Sequence, residues 1–317
     1  MRERLLVVVV AVNLCGCVKT IPPPDIKVST EEATLARGKY LADHSMGCVG
    51  CHSPRDWTHL GGPPVAGAEY TGDAHTSKED GFPDSFAFGA PNLTPDHLKT
   101  WSDGDIARAT VLGQTPEKKG LFPLMPYMLW RDNVALEDVA AVVAYLRTLP
   151  AKAGDPMPER KFPMPGFVIN GFPEPRTLRA TAPKPGDADF GQYITARSGC
   201  LDCHTNADDK GKLIGPRFAG GRSFPIPAPG KGKVVSANLT PDPDTGLGNM
   251  TREAFVARFR AATLEQARAT AVDDTGFNTV MPWWAYSGMT EEELGGIYDY
   301  LRTLPPAKNA VQKHLKP

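Results

Sequence analysis

The sequence predicts a mainly α-helical protein built as two tandem domains with long loops. Three observations predict it. The chain of 317 residues repeats a set of short segments in one order, first within 31–150 and again within 186–306. The last segment of each set carries apolar residues at helical spacing: Val139, Val142, Val143 and Leu146, then Leu294, Ile297, Tyr298 and Leu301. Glycine and proline, 31 of each, break the chain too often for long uninterrupted elements.

At the N-terminus, Met1-Arg2-Glu3-Arg4 precede an apolar run from Leu5 to Leu14. That run is too short to span a bilayer, which takes about 20 residues. It suits the core of a signal peptide. Leu14-Cys15-Gly16-Cys17 resembles the lipobox of bacterial lipoproteins. The resemblance implies cleavage after Gly16 and a lipid on Cys17; ordinary secretory cleavage nearby is the alternative. A lipid would tether the protein by acyl chains rather than by a spanning helix. Residues 17–30, with Pro22-Pro23-Pro24, read as a stalk. The expected location is the periplasmic side of a bacterial membrane, and Val18 after the lipid Cys favours the outer membrane.

The first domain, 31–150, opens on a helix expected from Glu31 to about His44, with acidic residues at its positive end. Gly38-Lys39-Tyr40 in that helix recurs as Gly191-Gln192-Tyr193. Asn92-Leu93-Thr94-Pro95-Asp96 recurs as Asn238-Leu239-Thr240-Pro241-Asp242, and Met125-Pro126-Tyr127 as Met281-Pro282-Trp283. Tyr145-Leu146-Arg147-Thr148-Leu149-Pro150 recurs as Tyr300-Leu301-Arg302-Thr303-Leu304-Pro305, and the two prolines stop the final helices. Thr290-Glu291-Glu292-Glu293 predicts a capping box for the second final helix; Ala135 stands at the equivalent place in the first, so that cap is missing. The first and last helices of each half should cross at a glycine. Gly38 and Tyr40 would meet Tyr145, and Gly191 and Tyr193 would meet Tyr300.

Between the halves, 151–185 is a proline-rich linker, expected to pack across both domains through Phe162, Phe167, Val168, Ile169 and Phe172. The second domain, 186–306, is followed by a tail, 307–317, in which His314 is expected to be solvated. The loop 264–279 is longer than its counterpart needs and has no assigned role.

Two pentapeptides carry the chemistry: Cys48-Val49-Gly50-Cys51-His52 and Cys200-Leu201-Asp202-Cys203-His204. Two thiols at this spacing can bond the two vinyl groups of one haem, and the next residue places an imidazole under the iron. A bare Cys-x-x-Cys also serves zinc and redox disulfides. The His directly after the second Cys, occurring twice, favours two covalently bound haem c groups, with His52 and His204 as iron ligands. Of six cysteines, four lie in these motifs, and Cys15 and Cys17 lie in the lipobox. The formal net charge of −1 and the lack of a basic stripe argue against a nucleic-acid partner.

The opposite face of each iron decides between electron carrier and catalyst. Met raises the potential of a His-ligated haem. Met125 and Met281 sit at matching places ahead of the final helices, each followed by a proline that biases it towards extended backbone. A lone Met is more often core filler, but the repeat favours ligation. The local competitor Met128 corresponds to Trp284, and His44, His59, His75 and His97 have no counterparts in the second half.

This order of motifs resembles multihaem class I cytochromes c, and is particularly similar to the cytochrome subunits of membrane-bound alcohol and gluconate dehydrogenases. Those subunits carry three haem domains; this chain has two motifs. The resemblance implies cytochrome c-like helical domains, each enclosing one haem. It implies that Asn92 and Asn238 lie near the haem edge and could bond propionates. It also makes Trp57, Trp101, Trp283 and Trp284 candidates for haem contact, with ordinary packing as the alternative for each. The expected function is electron transfer between periplasmic or membrane redox partners, among them a dehydrogenase or respiratory complex. The competing readings are a dihaem peroxidase-like enzyme with one open haem site, and a cytochrome subunit docked on a separate dehydrogenase.

Overall fold

The computed structural model describes residues 21–79, 81–162, 177–208, 211–228, 232–273 and 276–315. The signal segment, Cys17 and the linker residues Phe167, Val168, Ile169 and Phe172 lie outside them. The described chain is helix-rich, with one small sheet. In the first half the helices are α1 (Glu32–Tyr40), α2 (Cys48–Cys51), α3 (Thr76–Glu79), α4 (Pro95–Leu98), α5 (Asp103–Leu112), α6 (Tyr127–Asn133) and α7 (Leu136–Thr148). In the second they are α8 (Phe190–Arg197), α9 (Cys200–Cys203), α10 (Arg252–Arg260), α11 (Leu264–Ala269), α12 (Trp283–Tyr286) and α13 (Glu291–Arg302). The strands β1 (Ser223–Pro225), β2 (Lys233–Val235) and β3 (His314–Leu315) pair antiparallel in the order β1-β2-β3. His314 is half-buried rather than free in a tail: it pairs with Val234 in β3 and stands edge-on to the exposed Phe277 at 5.4 Å.

α1 ends four residues earlier than expected. The chain continues as one π-helical turn, Leu41–Ser45, closed by the Met46 N–H on the Leu41 carbonyl at 2.9 Å. The cause is visible in the spacing. Ten residues separate Gly38 from Cys48, but nine separate Gly191 from Cys200. A π turn absorbs one extra residue without breaking the helix. The second half, one residue shorter, runs directly from α8 through the Ser198 N–H on Ile194 to its own motif.

The glycine crossings form as the sequence predicts. A methyl group on Gly38 would overlap the Ala141 carbonyl and press on the Tyr145 Cβ of α7. One on Gly191 would overlap the Gly296 carbonyl and press on the Tyr300 Cβ of α13. Gly38→Ala must therefore push α1 off α7. We expect a loss of about 1–3 kcal/mol, the usual cost of overpacking, read as a lower urea midpoint.

The tyrosines depart from expectation. Each crosses to the other half. The Tyr40 hydroxyl donates to Glu293 at 2.6 Å and accepts the Thr290 N–H at 3.0 Å, at the start of α13. The Tyr193 hydroxyl donates to Asp138 at 2.7 Å and accepts the Ala135 N–H at 3.1 Å, at the start of α7. The two halves thus exchange caps reciprocally. Ala135 needs no hydroxyl of its own, because Tyr193 satisfies that orphan N–H from across the interface. For the same reason the capping box at Thr290 is half formed. Its hydroxyl accepts the Glu293 N–H at 3.2 Å, but the Glu293 carboxylate turns away to Tyr40 and to arginine.

Arg197 sits at the centre of this interface with its side chain fully buried, 3.0 Å from Asp138 and 2.6 Å from Glu293. Arg37 reaches the same two carboxylates from the edge, at 3.0 and 3.4 Å. Two cations face two anions. Burial works to lower the Arg197 pKa, but Glu293 and Asp138 outweigh it and hold the guanidinium charged.

The loop without an assigned role, 264–279, clasps the first half. Thr270 accepts the Leu60 N–H at 3.0 Å, and the Val272 N–H donates to Thr58 at 2.8 Å. Asn278, fully buried, accepts the Gly61 N–H at 2.8 Å and donates to the Trp57 and His59 carbonyls. The described ends of the linker touch both halves: Phe162 stacks on Phe122 at 5.3 Å and Arg179 accepts the Leu136 N–H at 2.8 Å, while the Arg179 guanidinium pairs with Asp189 at 2.6 Å and lies over the Tyr193 ring. The segment read as a stalk also touches that half, where buried Ile21 accepts a bond from Arg108 and donates its N–H to Gln114.

Candidate functional site: two matched Cys-His turns

α2 and α9 are single helical turns that contain the two cysteine pairs. Each is preceded by a left-handed glycine, Gly47 at φ 62° and Gly199 at φ 68°, a conformation glycine adopts without strain. One turn of helix brings the first and second Cys to neighbouring positions on one face. The His52 N–H closes on Cys48 at 2.9 Å, and the His204 N–H on Cys200 at 2.9 Å. Each His carbonyl is held by a glycine N–H, from Gly72 at 2.9 Å and from Gly220 at 2.8 Å.

The rings are oriented alike. Nδ1 of His52 lies 2.7 Å from the Pro91 carbonyl, and Nδ1 of His204 lies 2.8 Å from the Ala237 carbonyl. A carbonyl only accepts, so Nδ1 carries the proton and Nε2 keeps its lone pair. That is how a metal-binding imidazole is usually fixed. Burial lowers the pKa of both rings, which keeps them neutral and able to ligate.

Burial, with a smaller contribution from the neighbouring thiol, pushes Cys48 and Cys200 up to about 12. Redox-active pairs have the opposite property, a depressed thiol pKa. The second thiol of each pair, Cys51 and Cys203, is exposed. Two buried hydroxyls, Ser45 and Ser198, stand just ahead of the two turns with no hydrogen-bond partner among the described residues. Buried orphans are costly and mark a place where another group belongs. The donor set, the matched ring orientation and these orphans fit a haem at each turn.

Met125 and Met281 each begin a tight turn. The Tyr127 N–H donates to Met125 at 2.8 Å and the Trp283 N–H to Met281 at 2.8 Å, across Pro126 and Pro282. Such three-residue turns are common where a loop starts. Met125 packs on the first of two hydrophobic clusters and Met281 on the second. Met128 is 51% exposed, which removes it from the same surroundings.

Asn92 and Asn238 tie the loop after each His to the segment beyond each final helix. Asn92 donates to Lys152 at 2.7 Å and accepts the Thr94 N–H at 2.7 Å. Asn238 donates to Thr245 and to Ala307 and accepts the Thr240 N–H at 2.9 Å. Both amide hydrogens of Asn238 are thus committed to protein acceptors, so the propionate contact expected of it finds no free donor.

The tryptophans divide. Trp57 donates to Glu79 at 2.8 Å under Arg55, whose guanidinium lies 4.1 Å from a ring centroid. Trp101 lies beside His97, and Trp283 beside Phe259 at 5.1 Å. Trp284 donates to the Gly61 carbonyl at 3.1 Å and lies against Gly50, inside the first motif.

Sequence reasoning missed two further matches. Ser53 and Thr205, each directly after the ligand His, accept the N–H of Tyr70 at 2.9 Å and of Phe218 at 3.0 Å. Both aromatic residues are left-handed, at φ 65° and 62°, which non-glycine residues rarely adopt. A hydroxyl residue after both motifs was the available signal. Trp130 was also missed; it stands five residues after Met125, as Tyr286 does after Met281.

No family model matches the chain. It is 31% identical over 113 residues to the fructose dehydrogenase cytochrome subunit of Gluconobacter japonicus, a match covering 36% of this chain and 20% of that one. It is 29% identical over 110 residues to the gluconate 2-dehydrogenase cytochrome c subunit of Pantoea cypripedii, covering 35% and 21%. A longer match, 28% identical over 240 residues, covers 64% of this chain and 73% of a dihaem c-type cytochrome of Cereibacter sphaeroides. The matched region spans about a fifth of the length of the dehydrogenase subunits. The relatives of this chain are cytochromes c: subunits of alcohol, fructose and gluconate dehydrogenases, and a dihaem cytochrome.

Proposed function

We propose that this chain is a dihaem c-type electron carrier, not itself an enzyme. Its two tandem domains each enclose one haem, attached through Cys48 and Cys51 or through Cys200 and Cys203. The iron ligands are His52 with Met125, and His204 with Met281. The observation that supports this best is the duplication: two single-turn helices with the same glycine cap, the same ring orientation and the same downstream Met-Pro turn. Haem supplies a one-electron couple when bound. The chain does the rest. Pro91 and Ala237 fix the imidazole tautomers, and the Met-Pro turns present a soft ligand to each opposite face. Because both halves present that Met, neither offers the open site a peroxidase needs.

The partner we propose is a periplasmic or membrane dehydrogenase or another respiratory redox protein, in line with the relatives that are dehydrogenase subunits. A lipid on Cys17 would hold the protein at the periplasmic side of a bacterial membrane. Met125→Ala and Met281→Ala test the ligand assignment. Each should convert one haem to a high-spin or weakly ligated form and lower its potential, while the other haem keeps its spectrum. Low-spin spectra unchanged in both variants would refute the Met ligands.

A further inference from the structure

We propose that Trp130 and Tyr286 form the contact through which the two haem sites exchange electrons. The proposal rests on the dihaem reading above and adds the path between the sites.

Both rings converge on one place. The Tyr286 hydroxyl donates to the Ser198 carbonyl at 2.7 Å, and the buried Trp130 indole donates to the Arg197 carbonyl at 3.1 Å. These are adjacent carbonyls, separated from Cys200 by Gly199 alone. One ring comes from each half, and each stands five residues after the Met of its own half. The repeat therefore delivers an aromatic residue from either side to the same turn.

α12 reaches the first motif as well. The Ala285 carbonyl accepts from His44 Nδ1 at 2.8 Å, and the Trp284 ring lies where a side chain on Gly50, between Cys48 and Cys51, would meet it. A side chain on Gly288 would overlap the His44 ring. One helical turn is thus wedged between the two attachment turns. Trp284 faces the first turn, Ala285 bonds His44 in the π turn ahead of it, and Tyr286 bonds Ser198 just ahead of the second. Burial, and then Cys200, Cys203 and Cys51, act on the Tyr286 hydroxyl, so thiols of both motifs lie within its electrostatic reach.

The step moves one electron. One iron is oxidised and the other reduced, no bond forms or breaks, and no proton moves. Neither ring is oxidised; each ring, bonded to one of two adjacent carbonyls, would supply part of a bonded path in place of a jump through space.

The test is flash reduction of the half-reduced holoprotein, following re-equilibration between the two haem absorbances. Tyr286→Leu and Trp130→Leu should each slow that relaxation several-fold, with haem content and both potentials unchanged. Tyr286→Phe keeps the ring, loses the Ser198 bond and should keep the rate. Unchanged rates in both leucine variants would overturn the proposal. So would an equal loss in Tyr286→Phe, which would make the hydrogen bond rather than the ring the active element. If the leucine variants fail to bind haem, pulsed dipolar EPR on the unmodified oxidised protein decides. Strong coupling between the two ferric centres supports the contact, and coupling too weak to detect overturns it. A haem count of one per chain would instead bring down the dihaem reading itself.

Discussion

Replacing Arg197 with Ala should cost about 3–5 kcal/mol, the usual penalty for stripping one partner from a buried ion pair. Arg197 is fully buried and is the only described residue that bonds both Asp138 and Glu293 from inside the interface. Without it, two carboxylates with 3% and 7% exposure keep only Arg37, whose side chain is 36% exposed, and the hydroxyls of Tyr193 and Tyr40. Domains are stable by roughly 5–15 kcal/mol, so this loss is a large share. Arg197→Lys should not rescue it, because one ammonium cannot reproduce the two-ended guanidinium contact. Arg197→Met combined with Asp138→Asn and Glu293→Gln should recover part of the loss, since no charge is then left buried. Urea unfolding followed by tryptophan fluorescence gives the midpoints. An unchanged midpoint in Arg197→Ala would show that the two halves do not depend on this contact.

The second large effect belongs to His204→Ala. The ring is fixed through Nδ1 on the Ala237 carbonyl, which leaves the Nε2 lone pair free to ligate. On the proposed ligation, removing it would take the proximal ligand from the second haem and leave the covalent links at Cys200 and Cys203 in place. The variant should therefore keep two haems by mass and lose one of two low-spin signals. His52 sits on a separate turn with its own carbonyl, so the first signal should remain. The same change orphans the Ala237 carbonyl, which adds a stability loss of about 1–3 kcal/mol. Retention of both low-spin signals would remove His204 from the iron.

The local geometry of the two motifs was legible in the sequence. Cys-x-x-Cys-His occupies five consecutive residues, so one helical turn brings both cysteines and the following His together. The final helices were legible from their apolar spacing, and they end at Thr148 and Arg302, just short of Pro150 and Pro305. The glycine crossings at Gly38 and Gly191 followed from the repeat. What was not legible was which half each side chain serves. Tyr40 and Tyr193 look like partners of their own final helices, because local pattern does not distinguish a contact within one half from its equivalent across a near-symmetric interface. Ala135 looked uncapped for that reason. Asn278, Thr270 and Val272 looked idle because their partners at residues 57–61 lie some two hundred positions away. The π turn after Tyr40 was written in the sequence as one additional residue before Cys48, a signal that alignment of the two halves exposes.

Two haems, each closed by His and Met, would make this chain an electron carrier. Low-temperature EPR of the fully oxidised protein, with the haem content of the same sample, tests it most directly. Two haems per chain, two low-spin ferric signals and no high-spin iron are expected. A high-spin signal from one of two haems would leave an iron open and contradict this reading.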